Sequence, residues 1–223
     1  MIQIKLFIKC FSKIVLLALI LNTIGFPQQS KLSKTVNHLS DFIASDNFVE
    51  LKKTNNDLDL VDSLYLRAVR FMDNDYSEAL LAITFTTIPT KEVPIVVPLI
   101  KSLLYFPLIA ADDSTYKKKN ENLPRYLFFD TPDEKFGDVD KLAHFFGNSF
   151  IGYSENFLDL SHLLGYFVES FEEDFKVDSR VDYRDLDVNS YGDYFGKLLE
   201  DHKEILPSQT MLIRSLRYFN FLQ

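Results

Sequence analysis

The sequence predicts a mainly α-helical, bundle-like domain with a small antiparallel β element in its middle. Two observations carry most of that prediction. Apolar residues recur at helical spacing in six segments, near 31–45, 57–72, 138–153, 158–175, 185–201 and 208–220. One stretch between them is rich in β-branched and aromatic residues and is punctuated by Pro89, Pro94, Pro98 and Pro107. The composition, 47% hydrophobic and 25% charged over 223 residues, is that of a globular chain able to bury a core.

The first 27 residues read as a signal peptide or N-terminal anchor. Lys5, Lys9 and Lys13 come with no acid, and the apolar run at 14–26 follows them. That run is short for a bilayer span. The rest, 28–223, reads as a single helical domain with a β-rich insert at about 80–110. Without the leader, 24 basic residues less three leaves 21 against 32 acids, and Cys10, the only cysteine, is gone. A disulfide framework is then excluded. The acidic balance argues against nucleic acid, because nothing would neutralise phosphates. Export to the periplasm or outer envelope of a bacterium is the expected location.

The elements follow in order. In 31–46, Leu32, Val36, Leu39, Phe42 and Ile43 share a face, with His38 among polar neighbours at the surface. In 57–72, Val61, Leu64, Ala68, Phe71 and Met72 do the same, with Asn55, Asn56 and Asp57 as candidate N-caps and Asp73–Asp75 as a closing turn. Residues 78–113 read as short strands or extended edges, an apolar segment suited to burial or to docking a membrane surface or an envelope protein partner. Residues 114–122, with Lys117–Lys119, read as a solvated loop. Ser208 is a candidate N-cap for the last helix.

Three helices carry the unusual residues. On the helix starting near Asp138, the residues Asp140, Lys141, His144 and Asn148 fall within an arc of roughly 100°. Taken alone, that arc is the wet face of an amphipathic helix, and Asp140 complements the helix dipole. On 158–175, Glu169 and Glu172 are like-charged i,i+3 neighbours on a polar face. On the third helix, Asp185, Asn189, Gly192 and Gly196 lie within about 60° of one another. Two interior glycines cost roughly 1 kcal/mol each relative to alanine. Close approach of a neighbouring backbone is a packing reason for that cost, which would place Asp185 and Asn189 at a helix–helix contact.

These residues resemble a known pattern. Asp140, Lys141, His144 and Phe145, then Glu169 and Glu172, then Arg180, then Asp185, Asn189, Gly192 and Gly196 are similar in order and spacing to the signature of the VanZ-like family and the YfiM-type exported envelope proteins. The resemblance covers about residues 138–200. It implies that Asp140, Lys141, His144, Glu169, Asp185 and Asn189 converge between packed helices, and it supplies no agreed reaction. VanZ-like chains are integral membrane proteins, whereas these helices carry too many charges to span lipid, so a soluble or peripheral relative is implied.

Two functions follow as expectations. In the first, the cluster fixes the helix crossings of a non-catalytic, partner-binding envelope protein. In the second, it is an enzyme or ligand site for an anionic envelope substrate. His144 would then be base or metal ligand, Asp140 its orienting partner, and Glu169 and Asp185 further carboxylates. Lys141, Arg180, Asn189 and Glu172 would contact substrate, with a divalent metal as the cofactor to consider. Nothing in the sequence demands turnover, because no H-E-x-x-H, G-x-S-x-G or phosphate-loop spacing is present.

Overall fold

The computed structural model describes residues 30–97, 102–154 and 183–220. Eight helices are present among them: α1 (Lys31–Ala44), α2 (Asp46–Thr54), α3 (Asp57–Phe71), α4 (Tyr76–Thr87), α5 (Asp113–Asn122), α6 (Val139–Ser154), α7 (Tyr183–Asp201) and α8 (Pro207–Asn220). The strands β1 (Glu92–Val97) and β2 (Ser102–Pro107) pair antiparallel, with Val93 opposite Phe106 and Ile95 opposite Leu104. The domain is mainly helical and bundle-like. Residues 1–27, expected as a leader, and the segment expected as a helix at 158–175, with Glu169 and Glu172, lie outside the described residues, as does Arg180. Among the described residues no helix is long and apolar enough to cross a membrane.

The apolar stripes explain the packing of the first half. Val36, Leu39, Phe42 and Ile43 of α1 and Val61, Leu64, Ala68 and Met72 at α3 are buried in one core with Leu80 and Ile83 of α4. Short polar side chains set the helix starts: Ser45 accepts from the Phe48 N–H, Asn56 from Asp59 and Asp75 from Glu78. Asp73 and Asn74 turn the chain out of α3 with positive φ, a conformation Asn and Asp tolerate better than bulkier residues. His38 is half-buried, stacked 4.4 Å from the Phe71 ring, with Arg67 3.3 Å from its Nε2. Burial, and then the Arg67 charge, lower its pKa.

Two expectations are corrected. Residues 78–87, read as strands or extended edges, belong to α4. Its prolines begin only at Pro89, and Asp75 caps its start. The hydroxyls of Thr84, Thr86 and Thr87 bond back to the carbonyls of Leu80, Ala82 and Ile83, so β-branched polar residues sit satisfied inside a buried helix. Residues 114–122, read as a loop, form most of α5, capped by Asp112, whose carboxylate accepts from the Ser114 and Thr115 amides.

Within α5, Lys119 is not solvated. It is buried, and its ammonium donates to the Thr86 and Ile88 carbonyls at 2.6 and 3.3 Å, capping the C-terminus of α4. Burial, aided by the nearby Lys91 charge, pulls its pKa down to about 7.

The last helix starts one residue earlier than its expected cap. Pro207 is its first helical residue, a position where the missing N–H costs nothing. Gln209 reaches back to the Leu206 N–H at 2.8 Å. Ser208 does not cap; its amide and hydroxyl both donate to Asp62 of α3, at 2.9 and 2.6 Å, and so tie α8 to α3.

Candidate functional site

The site forms where α6 lies against α7. Residues early in α6 meet residues early in α7, and later ones meet later ones, so the two helices run in the same direction. Their approach is backbone against backbone. A Cβ added at Gly192 would strike the Phe145 carbonyl oxygen and lie 3.1 Å from the Phe145 Cα. One at Gly196 would strike the Ser149 carbonyl oxygen and lie 2.7 Å from the Tyr153 amide. From the other side, a Cβ on Gly152 of α6 would come 2.6 Å from the Asp193 carbonyl oxygen. Only glycine leaves room at these three positions.

That closeness brings short polar side chains together one turn away. Lys141, His144 and Asn148 present one face of α6, and Asp185 and Asn189 one face of α7. Lys141 Nζ lies 2.8 Å from Asp140 Oδ2 and 2.6 Å from Asp185 Oδ1. His144 Nε2 faces Asp185 Oδ1 at 3.6 Å, and its Nδ1 is 3.0 Å from Asn189 Oδ1. Asn148 Nδ2 donates to Asn189 Oδ1 at 2.8 Å and to the His144 carbonyl at 2.9 Å. The side chains of Lys141 and His144 are 4% and 8% exposed, that of Asp185 16%, and that of Asp140 36%. The arc that reads as a wet face in α6 alone is therefore covered by α7. Buried charges of this kind persist only when paired.

Of the residues singled out in the sequence, Asp140, Lys141, His144, Asp185, Asn189, Gly192 and Gly196 lie at this one crossing. Glu169, Glu172 and Arg180 lie outside the described residues. Among the described residues no group of three or more His, Cys, Asp or Glu side chains is arranged to hold a metal ion. The Lys141 ammonium sits against Asp140 and Asp185, two of the carboxylates expected at the site. A surface groove on α3, lined by Asp59, Asp62, Ser63, Leu66, Arg67 and Arg70, shares no residue with the cluster.

A second charged centre was not visible in the sequence. Arg214 of α8 makes a bidentate pair with Asp130, at 2.7 and 2.9 Å, and its Nε lies 2.8 Å from Asp187. Its guanidinium also covers the Phe128 ring at 4.2 Å. Arg184 donates to Asp130 at 3.0 Å and to Asp138 at 2.6 Å. Asp138, near which the helix was expected to start, is fully buried, and its other oxygen accepts from the Leu127 amide and the Thr131 hydroxyl. Burial alone would raise the Asp130 pKa, but the hydrogen bonds from Arg214 and Arg184 outweigh it and hold the carboxyl well below the usual range. The only sequence signal was Arg184 and Asp187 one turn apart on α7. Asp130, in an irregular segment, obeys no spacing rule.

Comparison with known protein families, with characterised proteins and with solved structures finds no match.

Proposed function

We propose that this chain is an exported bacterial envelope protein with a structural or partner-binding role, in which the Asp140–Lys141–His144–Asp185–Asn189 cluster locks α6 onto α7. The observation that carries this reading is the enclosure of Lys141. Its ammonium is nearly sealed from water and held between Asp140 and Asp185, so its charge is spent inside the protein and not on a ligand. The glycine contacts beside it support the same reading, because they hold the helices at one separation. Export is supported by the basic, acid-free start and the apolar run at 14–26. The likeness to the VanZ-like and YfiM-type signature supports an envelope setting.

One observation favours a second reading, an enzyme-like or ligand-binding site. The Asp140 side chain keeps 36% of its surface exposed, so one edge of the cluster meets solvent. The two readings part on His144→Gln and Lys141→Met, assayed for thermal stability and, in a bacterial host, for envelope integrity. A locking centre predicts that both variants melt earlier and that any loss of envelope integrity tracks the loss of stability. A His144→Gln protein that melts like the parent yet abolishes the envelope phenotype overturns it in favour of the second. Fractionation of the host with sequencing of the protein's N-terminus tests export; full-length protein retained in the cytoplasm overturns that part.

A further inference from the structure

The hydrogen bonds around His144 determine which ring nitrogen carries the proton, and the determination starts at Asn148. The Asn148 side chain contacts the His144 backbone carbonyl at 2.9 Å. A carbonyl only accepts, so the atom there is the amide nitrogen. That nitrogen's second proton is directed to the Asn189 side chain at 2.8 Å, which must therefore present its oxygen. The same oxygen lies 3.0 Å from His144 Nδ1. An oxygen without a proton can only accept, so Nδ1 must donate. Turning either amide around would set two oxygens or two N–H groups against each other.

We infer that Asn148 is a tautomer-setting residue: through Asn189 it fixes the neutral ring of His144 as the Nδ1–H form, with Nε2 facing Asp185. In that tautomer the Nε2 lone pair faces Asp185 Oδ1 at 3.6 Å, lone pair towards carboxylate. The hydrogen bond from Asn148 to His144 goes to the backbone carbonyl, so Asn148 is a positioning residue acting on the ring through Asn189. This inference rests on the reading of the cluster as one that locks α6 to α7, and adds that the lock contains a defined proton site.

The test is the ring nitrogen spectrum of the full chain, labelled with nitrogen-15 at histidine, recorded across the pH range in which the chain stays folded. His144→Gln assigns the signals among the four histidines. The expected result is a pyrrole-type Nδ1 and a pyridine-type Nε2. A neutral ring protonated on Nε2 overturns the inference, and so does a ring protonated on both nitrogens at every pH where the chain is folded. Two variants then separate positioning from packing. Asn189→Asp keeps an acceptor opposite Nδ1 and should keep the Nδ1–H form. In Asn148→Asp the new carboxylate cannot donate, so the Asn189 amide turns its NH2 towards it and towards Nδ1, and the tautomer should reverse to Nε2–H. An unchanged tautomer in folded Asn148→Asp removes Asn148 from the role. These outcomes are read in the spectrum, independently of the stability and envelope assays that decide whether the cluster is a lock.

Discussion

Where α6 meets α7 the two backbones touch; where α1, α3 and α4 meet, side chains fill the space between them. The first contact depends on Gly192, Gly196 and Gly152, each with no room for a single added carbon. The second depends on many residues of similar kind, among them Val36, Leu39, Leu64 and Leu80. A core of side chains has alternatives, because neighbours can shift by fractions of an ångström. A backbone contact has none, since carbonyls and helix axes cannot move aside locally. The polar cluster belongs to the rigid side of this contrast, and its short distances are available only because the helices come so close.

The contrast is broken most severely by Gly196→Leu. Its side chain would enter the Ser149 carbonyl and the Tyr153 amide, so α7 must leave α6 or the fold must fail. The expected cost exceeds about 4 kcal/mol, at the extreme of single substitutions. By comparison, Leu64→Ala in α3 should cost about 2–5 kcal/mol and leave a folded protein. Denaturant melts of both variants decide it: a Gly196→Leu protein as stable as Leu64→Ala would mean that the crossing can open without loss.

The second charged centre sharpens the contrast, since α8 is joined to the α6–α7 region by charge and not by glycine. Arg214→Met should cost about 3–5 kcal/mol, because it removes the bidentate partner of Asp130 and leaves that carboxylate to Arg184, which Asp138 shares. The pH dependence has a definite sign. The Asp130 pKa is depressed in the folded chain, so its contribution is present above the unfolded carboxyl value of about 4 and is lost as pH falls through the folded value. Arg214→Met should flatten the acid limb of the stability profile. An acid limb unchanged from the parent would place acid sensitivity elsewhere.

How much of this was legible in the sequence follows the same division. The helices α1, α3, α6, α7 and α8 were visible because each keeps an apolar stripe of helical period. α4 was not, because it is buried nearly all round and so has no stripe, and its threonines read as strand formers. α5 is hidden for the opposite reason, having few apolar residues to reveal a period. At the site, the glycine spacing on α7 pointed to a close crossing. The burial of Lys141 and His144 could not be read from α6, since another helix covers them. The Asp130–Arg214 pair joins residues with no common element, which no local pattern encodes.

Lys119 tests the side-chain-packed half on a smaller scale. Its ammonium caps α4 from within the protein, yet its pKa of about 7 lies far below that of an unfolded lysine. Between pH 7 and about 10 the unfolded chain therefore binds the extra proton and the folded chain does not, so stability should rise with pH across that window. Lys119→Met removes the titrating group, and the rise should disappear. Guanidinium melts at pH 7, 8 and 9 compare the slopes; parallel profiles for parent and variant would show that burial does not govern this lysine.

The smallest expected effect is Asn56→Ala at the start of α3. The Asn56 side chain accepts from the Asp59 amide at 2.9 Å in an exposed position. Losing that acceptor leaves one amide to water, at a cost of about 1 kcal/mol. Nothing packs through it, so the midpoint should fall while the denaturant slope stays the same. The same melt performed on Gly152→Ala gives the matching measurement at the α6–α7 crossing. There the added methyl meets the Asp193 carbonyl and side chain at 2.6 and 2.9 Å, and relief requires the helices to separate. One methyl at the crossing should therefore cost more than one hydrogen bond at an open helix start. Equal costs would mean that α6 and α7 can part by the few tenths of an ångström a methyl needs, and the polar cluster would then have slack of its own.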